Sequence, residues 1–282
     1  MLVAQITDIH IGFDPGNPDE FNRQRVEQVI ARLRAGPNVP TVLLATGDLT
    51  DKGDDESYAA VAELFADVPW LVLPAMGNHD LRDNFSRHFP GHTDPNGFIQ
   101  YDRVIGPLRL IVIDTLEEGR HGGAFCELRS AWLSERLSEQ RDVPTYVVMH
   151  HPPVESGIEW MTTASDEPWV ERFVNAIVDA PQLKGLICGH LHRNFTLQWN
   201  GLTVAVCSST APQVSLDLRP IDVDRPDNRA MIVAEDPAFA LHHWNGEALV
   251  SFFDRAGRQD VLASYDSRMQ ALVTELIGER PS

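Results

Sequence analysis

The chain has 282 residues and a formal net charge of -18, with 41 acids against 23 bases. Hydrophobic residues make up 43% and charged residues 23%, the mix of a globular protein with a real core, and no apolar run approaches the roughly 20 residues of a membrane helix. The acidity argues against a nucleic-acid polymer as partner, since such binding needs many Lys and Arg contacts to phosphate, but it leaves room for one small anion at a local positive centre.

The opening Met1-Leu2-Val3-Ala4-Gln5-Ile6 is too short for a signal h-region and lacks a basic flank. Cys126, Cys188 and Cys207 are odd in number and have no metal-ligand spacing, so no disulfide framework is expected. These features predict a cytoplasmic protein with no membrane association.

Leu2 to Ile6 reads as a short buried strand ending in Thr7-Asp8-Ile9-His10, where Asp8 and His10, two apart in extended chain, share a face. Val26, Val29, Ile30 and Leu33 follow helical spacing up to Gly36-Pro37. Residues 41–45 form a second apolar run ending in Thr46-Gly47-Asp48-Leu49-Thr50-Asp51. A helix marked by Tyr58, Val61, Leu64 and Phe65 precedes a third run at 70–76, which ends in Gly77-Asn78-His79-Asp80. This alternation predicts parallel strands covered by helices, an α/β class.

Residues 109–113 are a further strand ending at Asp114, and Leu128, Trp132 and Leu137 mark a looser helix. Residues 145–149 run into His150-His151-Pro152-Pro153. Val170, Phe173, Val174, Ile177 and Val178 again keep helical spacing, and 186–188 lead into Gly189-His190-Leu191-His192. Two Asn-Gly turns, Asn200-Gly201 and Asn245-Gly246, then predict hairpins and an antiparallel back third to about Asp254. Tyr265, Met269, Leu272, Val273 and Leu276 place a last amphipathic helix after it.

Five strand ends therefore carry polar clusters: Asp8/His10, Asp48, Asn78-His79-Asp80, His150 and His190/His192. Alone, either Asp reads as a helix cap and His150 as a loop histidine. At one edge of one sheet, where α/β proteins bind ligands, the five read as a metal site with His, Asp and Asn donors. Seven such ligands exceed what one tetrahedral ion uses, so two ions sharing one carboxylate account for the set.

In this order, Asp-Xaa-His, Gly-Asp, Gly-Asn-His-Asp, His-His-Pro-Pro and Gly-His-Xaa-His resemble the calcineurin-like metallophosphoesterases over residues 8–192. The opening Met-Leu-Val-Ala-Gln-Ile-Thr-Asp and the block Met149 to Pro153 are similar to the bacterial branch of class III cyclic-nucleotide phosphodiesterases and glycerophosphodiesterases. The resemblance implies a four-layer α-β-β-α sandwich of two mixed sheets, with residues 1–255 as the catalytic domain. Residues 256–282 are then a C-terminal amphipathic helix packed on the body or at a subunit interface, and the bacterial relatives suggest a homo-oligomer.

The same resemblance implies that Asp8, His10, Asp48 and His192 hold one metal, and that Asp48, Asn78, His150 and His190 hold the other, with Asp48 bridging. His79 would meet the substrate phosphate or leaving oxygen, with Asp80 orienting it. The implied cofactors are two divalent or trivalent ions (Mn, Fe, Zn or Co). The implied reaction is attack of a bridging hydroxide on a small anionic phosphodiester, 3',5'-cyclic nucleotides first. A glycerophosphodiester or broad-specificity phosphoesterase activity is the alternative.

Substrate contacts are expected from the long loops at 14–20, 81–97, 115–126, 154–168 and 208–229. Trp160 and Met161 are candidates for an apolar wall, while 208–229, rich in both Asp and Arg, reads as a solvated loop. Similar glycerophosphodiesterases carry a substrate-side histidine beyond Gly-His-Xaa-His; here Ser209-Thr210-Ala211-Pro212-Gln213 has none. Arg193 reads as a surface residue, and His88, His92, His121, His242 and His243 as structural or exposed.

Overall fold

The computed structural model describes residues 1–279. The first three strands, β1 (Leu2–Ile6), β2 (Val42–Thr46) and β3 (Leu71–Ala75), pair in parallel in that order. The helices α1 (Phe21–Ala35) and α2 (Asp55–Ala66) are their crossovers. Such strands are buried on both faces, which is why they read as continuous apolar runs. The Asp54 carboxylate caps α2 by accepting from Ser57 N, and Asp55 and Glu56 in its first turn favour the helix dipole.

The short helix α3 (Arg82–His88) occupies part of the region expected to be loop at 81–97, with only Phe85 buried. Next come β4 (Tyr101–Ile105), β5 (Leu108–Val112), α4 (Glu127–Ser138), β6 (Thr145–Val148), α5 (Pro168–Ile177) and β7 (Leu183–Cys188). The hairpin of β8 (Phe195–Trp199) and β9 (Leu202–Val206) turns at Asn200 and Gly201, both at positive φ as a tight hairpin turn requires. A two-stranded pair, β10 (Gln213–Val214) and β11 (Ile232–Val233), precedes β12 (Ala238–Trp244) and β13 (Leu249–Arg255).

The first sheet has the order β13-β12-β1-β2-β3 and the second β4-β5-β6-β7-β9-β8. Both are mixed: β12 joins β1 antiparallel, and β4 and β8 are antiparallel edges of a parallel centre. Alternation along the strands separates three apolar layers. Ala4, Ile6, Leu43 and Ala45 pack with Val29 of α1 and Val61 of α2. Val3, Val42 and Leu44 meet Leu110, Val148 and Ile187 between the sheets. Ile111, Val147 and Leu186 pack outward with Leu133 of α4 and Phe173 of α5. The result is the four-layer α-β-β-α sandwich.

The last helix, α6 (Gln270–Gly278), starts later than expected, so Tyr265 and Met269 precede it. It has no buried residue, and Leu272, Leu276 and Ile277 are exposed. Val273 is its one half-buried residue among those described; the end of the expected 256–282 segment, at 280–282, lies outside them. No helix among the described residues is long and apolar enough to cross a membrane.

Candidate metal centre

The carboxyl ends of β1, β2 and β3 and of β6 and β7 converge, so the first sheet delivers Asp8, His10, Asp48 and Asn78, and the second delivers His150, His190 and His192. Side-chain oxygens and imidazole nitrogens cluster in overlapping groups: Asp8, His10 and His192; Asp8, Asp48 and His150; His10, Asp48 and His79. His150 Nε2 lies 3.3 Å from Asp48 Oδ2, 3.9 Å from Asp8 Oδ1 and 3.2 Å from Asn78 Oδ1. His192 Nε2 is 3.3 Å from Asp8 Oδ1, and His10 Nε2 is 3.7 Å from Asp48 Oδ2.

Backbone strain concentrates here. Asp8, His10, Asp48, His190 and His192 all have φ between 48° and 73°, the left-handed region that disfavours side chains. Such conformations persist only where their surroundings hold them. Ile9 N and His10 N both donate to Asp48 O, and Asn22 of α1 holds His10 O at 3.0 Å. Close approach needs glycine as well. A Cβ on Gly77 would overlap the Asp48 carboxylate, and one on Gly189 would overlap the Thr7 hydroxyl.

The outer atoms of the ligands are anchored while the inner ones face each other. Nδ1 of His150 donates to Thr46 O at 2.9 Å and Nδ1 of His192 to Pro212 O at 2.7 Å, which turns each Nε2 inward, where it can bind a cation in place of a proton. Asp8 Oδ2 accepts from Thr7 Oγ1 and His190 N, and Asp48 Oδ1 from His79 N. Asp8 Oδ1 and His10 Nε2 are buried with no hydrogen-bond partner. Buried polar atoms are rarely left so, and two of opposite chemistry aimed into one centre fit a cation with N and O donors.

The charges fit too. Burial opposes ionisation of Asp8, but the His192 and His150 imidazoles outweigh it and hold the carboxyl at about 2. Burial likewise opposes the charge on His150, yet Asp48 and Asp8 raise it to about 9. Burial and neighbouring His150 push His190 down to about 3. The two carboxylates are thus held ionised and draw positive charge to their centre.

Asp80 does not orient His79 as expected. Its carboxylate accepts from Gly77 N, Leu49 N, Thr50 N, the Thr50 hydroxyl and the Tyr58 hydroxyl, and so ties the end of β2 to the turn after β3. His79 is instead held by Asp51 O, 2.8 Å from its Nδ1. His151 falls in a fourth such group, with His150 and His190, but its ring is already paired with the Thr115 hydroxyl and His121 O.

An open cavity of about 710 Å³ lies over the cluster, walled by Phe13, Phe21, Trp160, Met161, Val214 and Ile232. Two features of it were missed in the sequence. His121 belongs to the site: its Nδ1 lies 3.3 Å from Asn78 Nδ2, and its ring centroid is 5.8 Å from that of His79. Residues 208–214, expected in a solvated loop, are mostly buried; Arg25 of α1 binds Thr210 O at 2.6 Å and presses Ala211 and Pro212 against the cavity. The remainder of that loop is mostly exposed, with Asp217 and Arg229 partly covered by their own ion pair. Trp160 and Met161 do form wall, and Arg193 is paired with Glu235 at 2.8 Å.

The family described as calcineurin-like phosphoesterase matches residues 1–194. A probable glycerophosphodiester phosphodiesterase of Arcobacter nitrofigilis is 32% identical over 254 residues, which cover 88% of this chain and 90% of that protein. A probable cyclic nucleotide phosphodiesterase of Rhodopseudomonas palustris is 33% identical over 232 residues, 77% of this chain and 81% of that one. Among solved structures, a dimetal phosphatase from Danio rerio superposes with a TM-score of 0.61 at 12% identity, over 91% of this chain and 99% of that one, and so shares the fold. The chain belongs to the calcineurin-like phosphoesterases, in their bacterial phosphodiesterase branch, and is a metal-dependent phosphodiester hydrolase.

Proposed function

We propose that the protein hydrolyses small phosphodiesters at a dinuclear metal centre, with 3',5'-cyclic nucleotides as first substrate. Asp8, His10, Asp48 and His192 hold one ion, and Asp48, Asn78, His150 and His190 the other. The observation that carries this reading is the pair of buried, unpartnered atoms, Asp8 Oδ1 and His10 Nε2, under an apolar cavity. Mixed N and O donors suit Mn, Fe, Zn or Co. When bound, two such ions supply Lewis acidity at phosphorus and a water acidic enough to attack it near neutral pH.

The chain's own groups do the rest. His79 lines the cavity with Nδ1 fixed on Asp51 O, so a protonated ring directs Nε2–H at the departing alkoxide. Asn78, neutral where a third carboxylate would lower the charge, leaves the centre at about +2 with Asp8 and Asp48, suited to an anion. Phe13, Phe21 and Trp160 offer faces to a base or aryl group. Among the described residues no Lys or Arg lines the cavity, which supports a substrate with a single phosphate over a polymer.

Glycerophosphodiesters are the second reading, supported by the Arcobacter relative's name. Against it, the segment after the last ligand pair brings Ala211 and Pro212 to the cavity and no histidine. The test is a metal-reconstituted assay over cyclic AMP, glycerophosphodiesters and aryl mono-, di- and triesters. The highest kcat/KM is expected for cyclic AMP among the natural diesters; a higher value for a glycerophosphodiester would reverse the order.

A further inference from the structure

The inner face of the first sheet carries a row of polar side chains in a layer that is otherwise largely apolar. Gln5, Thr46 and His242 are fully buried, on β1, β2 and β12, and Ser251 continues the row on β13. Their hydrogen bonds have one consistent direction. The carbonyl oxygen of Cys188 can only accept, so the Gln5 atom 2.8 Å from it is Nε2, which also donates to Thr46 Oγ1 at 2.8 Å. Gln5 Oε1 then faces His242 Nε2 at 3.1 Å, which must carry the proton. His242 Nδ1 is left to accept from the Ser251 hydroxyl at 2.8 Å. Burial pushes His242 down to about 4, which keeps the ring in the neutral form this pattern needs.

The row meets the metal centre at its scaffold. Thr46 ends β2 two residues before Asp48, and its carbonyl takes His150 Nδ1 at 2.9 Å. Cys188 ends β7 two residues before His190, and β7 is in the other sheet. Gln5 itself stands three residues before Asp8. One amide thus ties together three strand ends that carry candidate ligands, across the gap between the sheets. An apolar side chain would fill this position without needing a partner for every polar atom, so stability alone gives no reason for glutamine.

We propose that Gln5, locked by His242, is a positioning residue that sets the separation of the two sheets across the metal centre. It thereby fixes the ligand geometry of the ions, most of all the one held by Asp48, Asn78, His150 and His190, two of whose ligands come from the second sheet. This rests on the dinuclear reading above, and the test separates the two.

Apoprotein prepared with a chelator is titrated with Co(II), followed by calorimetry and visible absorption. Wild type is expected to take up two equivalents; failure to do so overturns the dinuclear reading and the proposal with it. Gln5→Met keeps the side-chain length and removes the three bonds. It is expected to bind the second equivalent about tenfold or more weakly, with an altered absorption spectrum. Tyr146→Phe is the control: it removes another bond between the sheets, partly buried, from Leu249 N to the Tyr146 hydroxyl at 2.9 Å, at the start of β6. It is expected to bind Co(II) as wild type does. Should Gln5→Met fail to fold, Thr46→Val, which loses one of the three bonds, carries the test with a weakening of about threefold or more. Wild-type isotherms and spectra in the folded variant overturn the proposal, and so does an equal weakening in Tyr146→Phe.

Discussion

His79 Nδ1 lies 2.8 Å from the carbonyl oxygen of Asp51, so main chain and not a carboxylate sets the direction of this imidazole. With Nδ1 committed to the main chain, Nε2 is the ring atom left for a leaving group. His79→Ala is expected to lower kcat about a hundred- to a thousandfold on cyclic AMP, with little change in KM. On a 4-nitrophenyl diester, whose leaving group needs no proton, the loss should shrink to about tenfold. An equal loss on both substrates would remove the proton-donor role.

Asp48 faces both halves of the cluster, 3.3 Å from His150 and 3.7 Å from His10. Asp48→Asn keeps an acceptor for His79 N and removes the charge. Bound metal is expected to fall from two ions to at most one, and kcat by about 10³-fold or more. Chelated variant and chelated wild type should unfold within a few degrees of each other. Elemental analysis and turnover together check this; wild-type turnover would reject Asp48 as the bridging ligand.

Trp160 is 40% exposed at the cavity wall, where only the substrate's organic group would cover it. Trp160→Ala is expected to raise KM for cyclic AMP about tenfold, equivalent to about 1.4 kcal/mol, and to leave kcat within about twofold. For dimethyl phosphate, with no ring to stack, KM should not move. Steady-state kinetics on the two esters give the comparison.

His242 is the group whose burial most directly links stability to pH outside the metal centre. Its ordinary value of 6.5 falls to about 4 in the fold because burial disfavours the charged ring. The unfolded chain then binds the proton more readily, so stability is full above about pH 6.5 and is lost as pH falls toward 4, by about 3 kcal/mol. Denaturant unfolding of the apoprotein over that window, with His242→Gln as reference, should show the wild type losing more stability on acidification. Parallel slopes would mean that His242 does not titrate on unfolding.

The parallel strands were legible because β1, β2, β6 and β7 are largely apolar and buried on both faces, with the polar clusters following their ends. β4 was not legible, since its Asp102, Arg103 and Val104 are on an exposed edge and break any apolar run. The seven-residue α3 buries only Phe85 and has no period to read. His121 is brought to the centre by a main-chain contact with His151, thirty residues away, and the orienting atom for His79 is a backbone oxygen. Neither leaves a mark on residue type. Residues 208–214 look polar because their side chains satisfy backbone groups, and only the distant Arg25 makes them a wall. The last helix was found by its period, but period alone does not supply a surface to bury it against.

β1 is the first strand of the chain and lies inside its sheet, with β2 on one side and β12, from near the other terminus, on the other. One edge of β1 therefore stays unpaired until β12 has been made. A fragment ending at residue 194, where the family match stops, would leave that edge open, with Gln5 missing its His242 partner. The strand that closes the ligand-bearing sheet thus carries no candidate ligand itself, and losing it would turn an interior strand into an open edge that another chain could pair with.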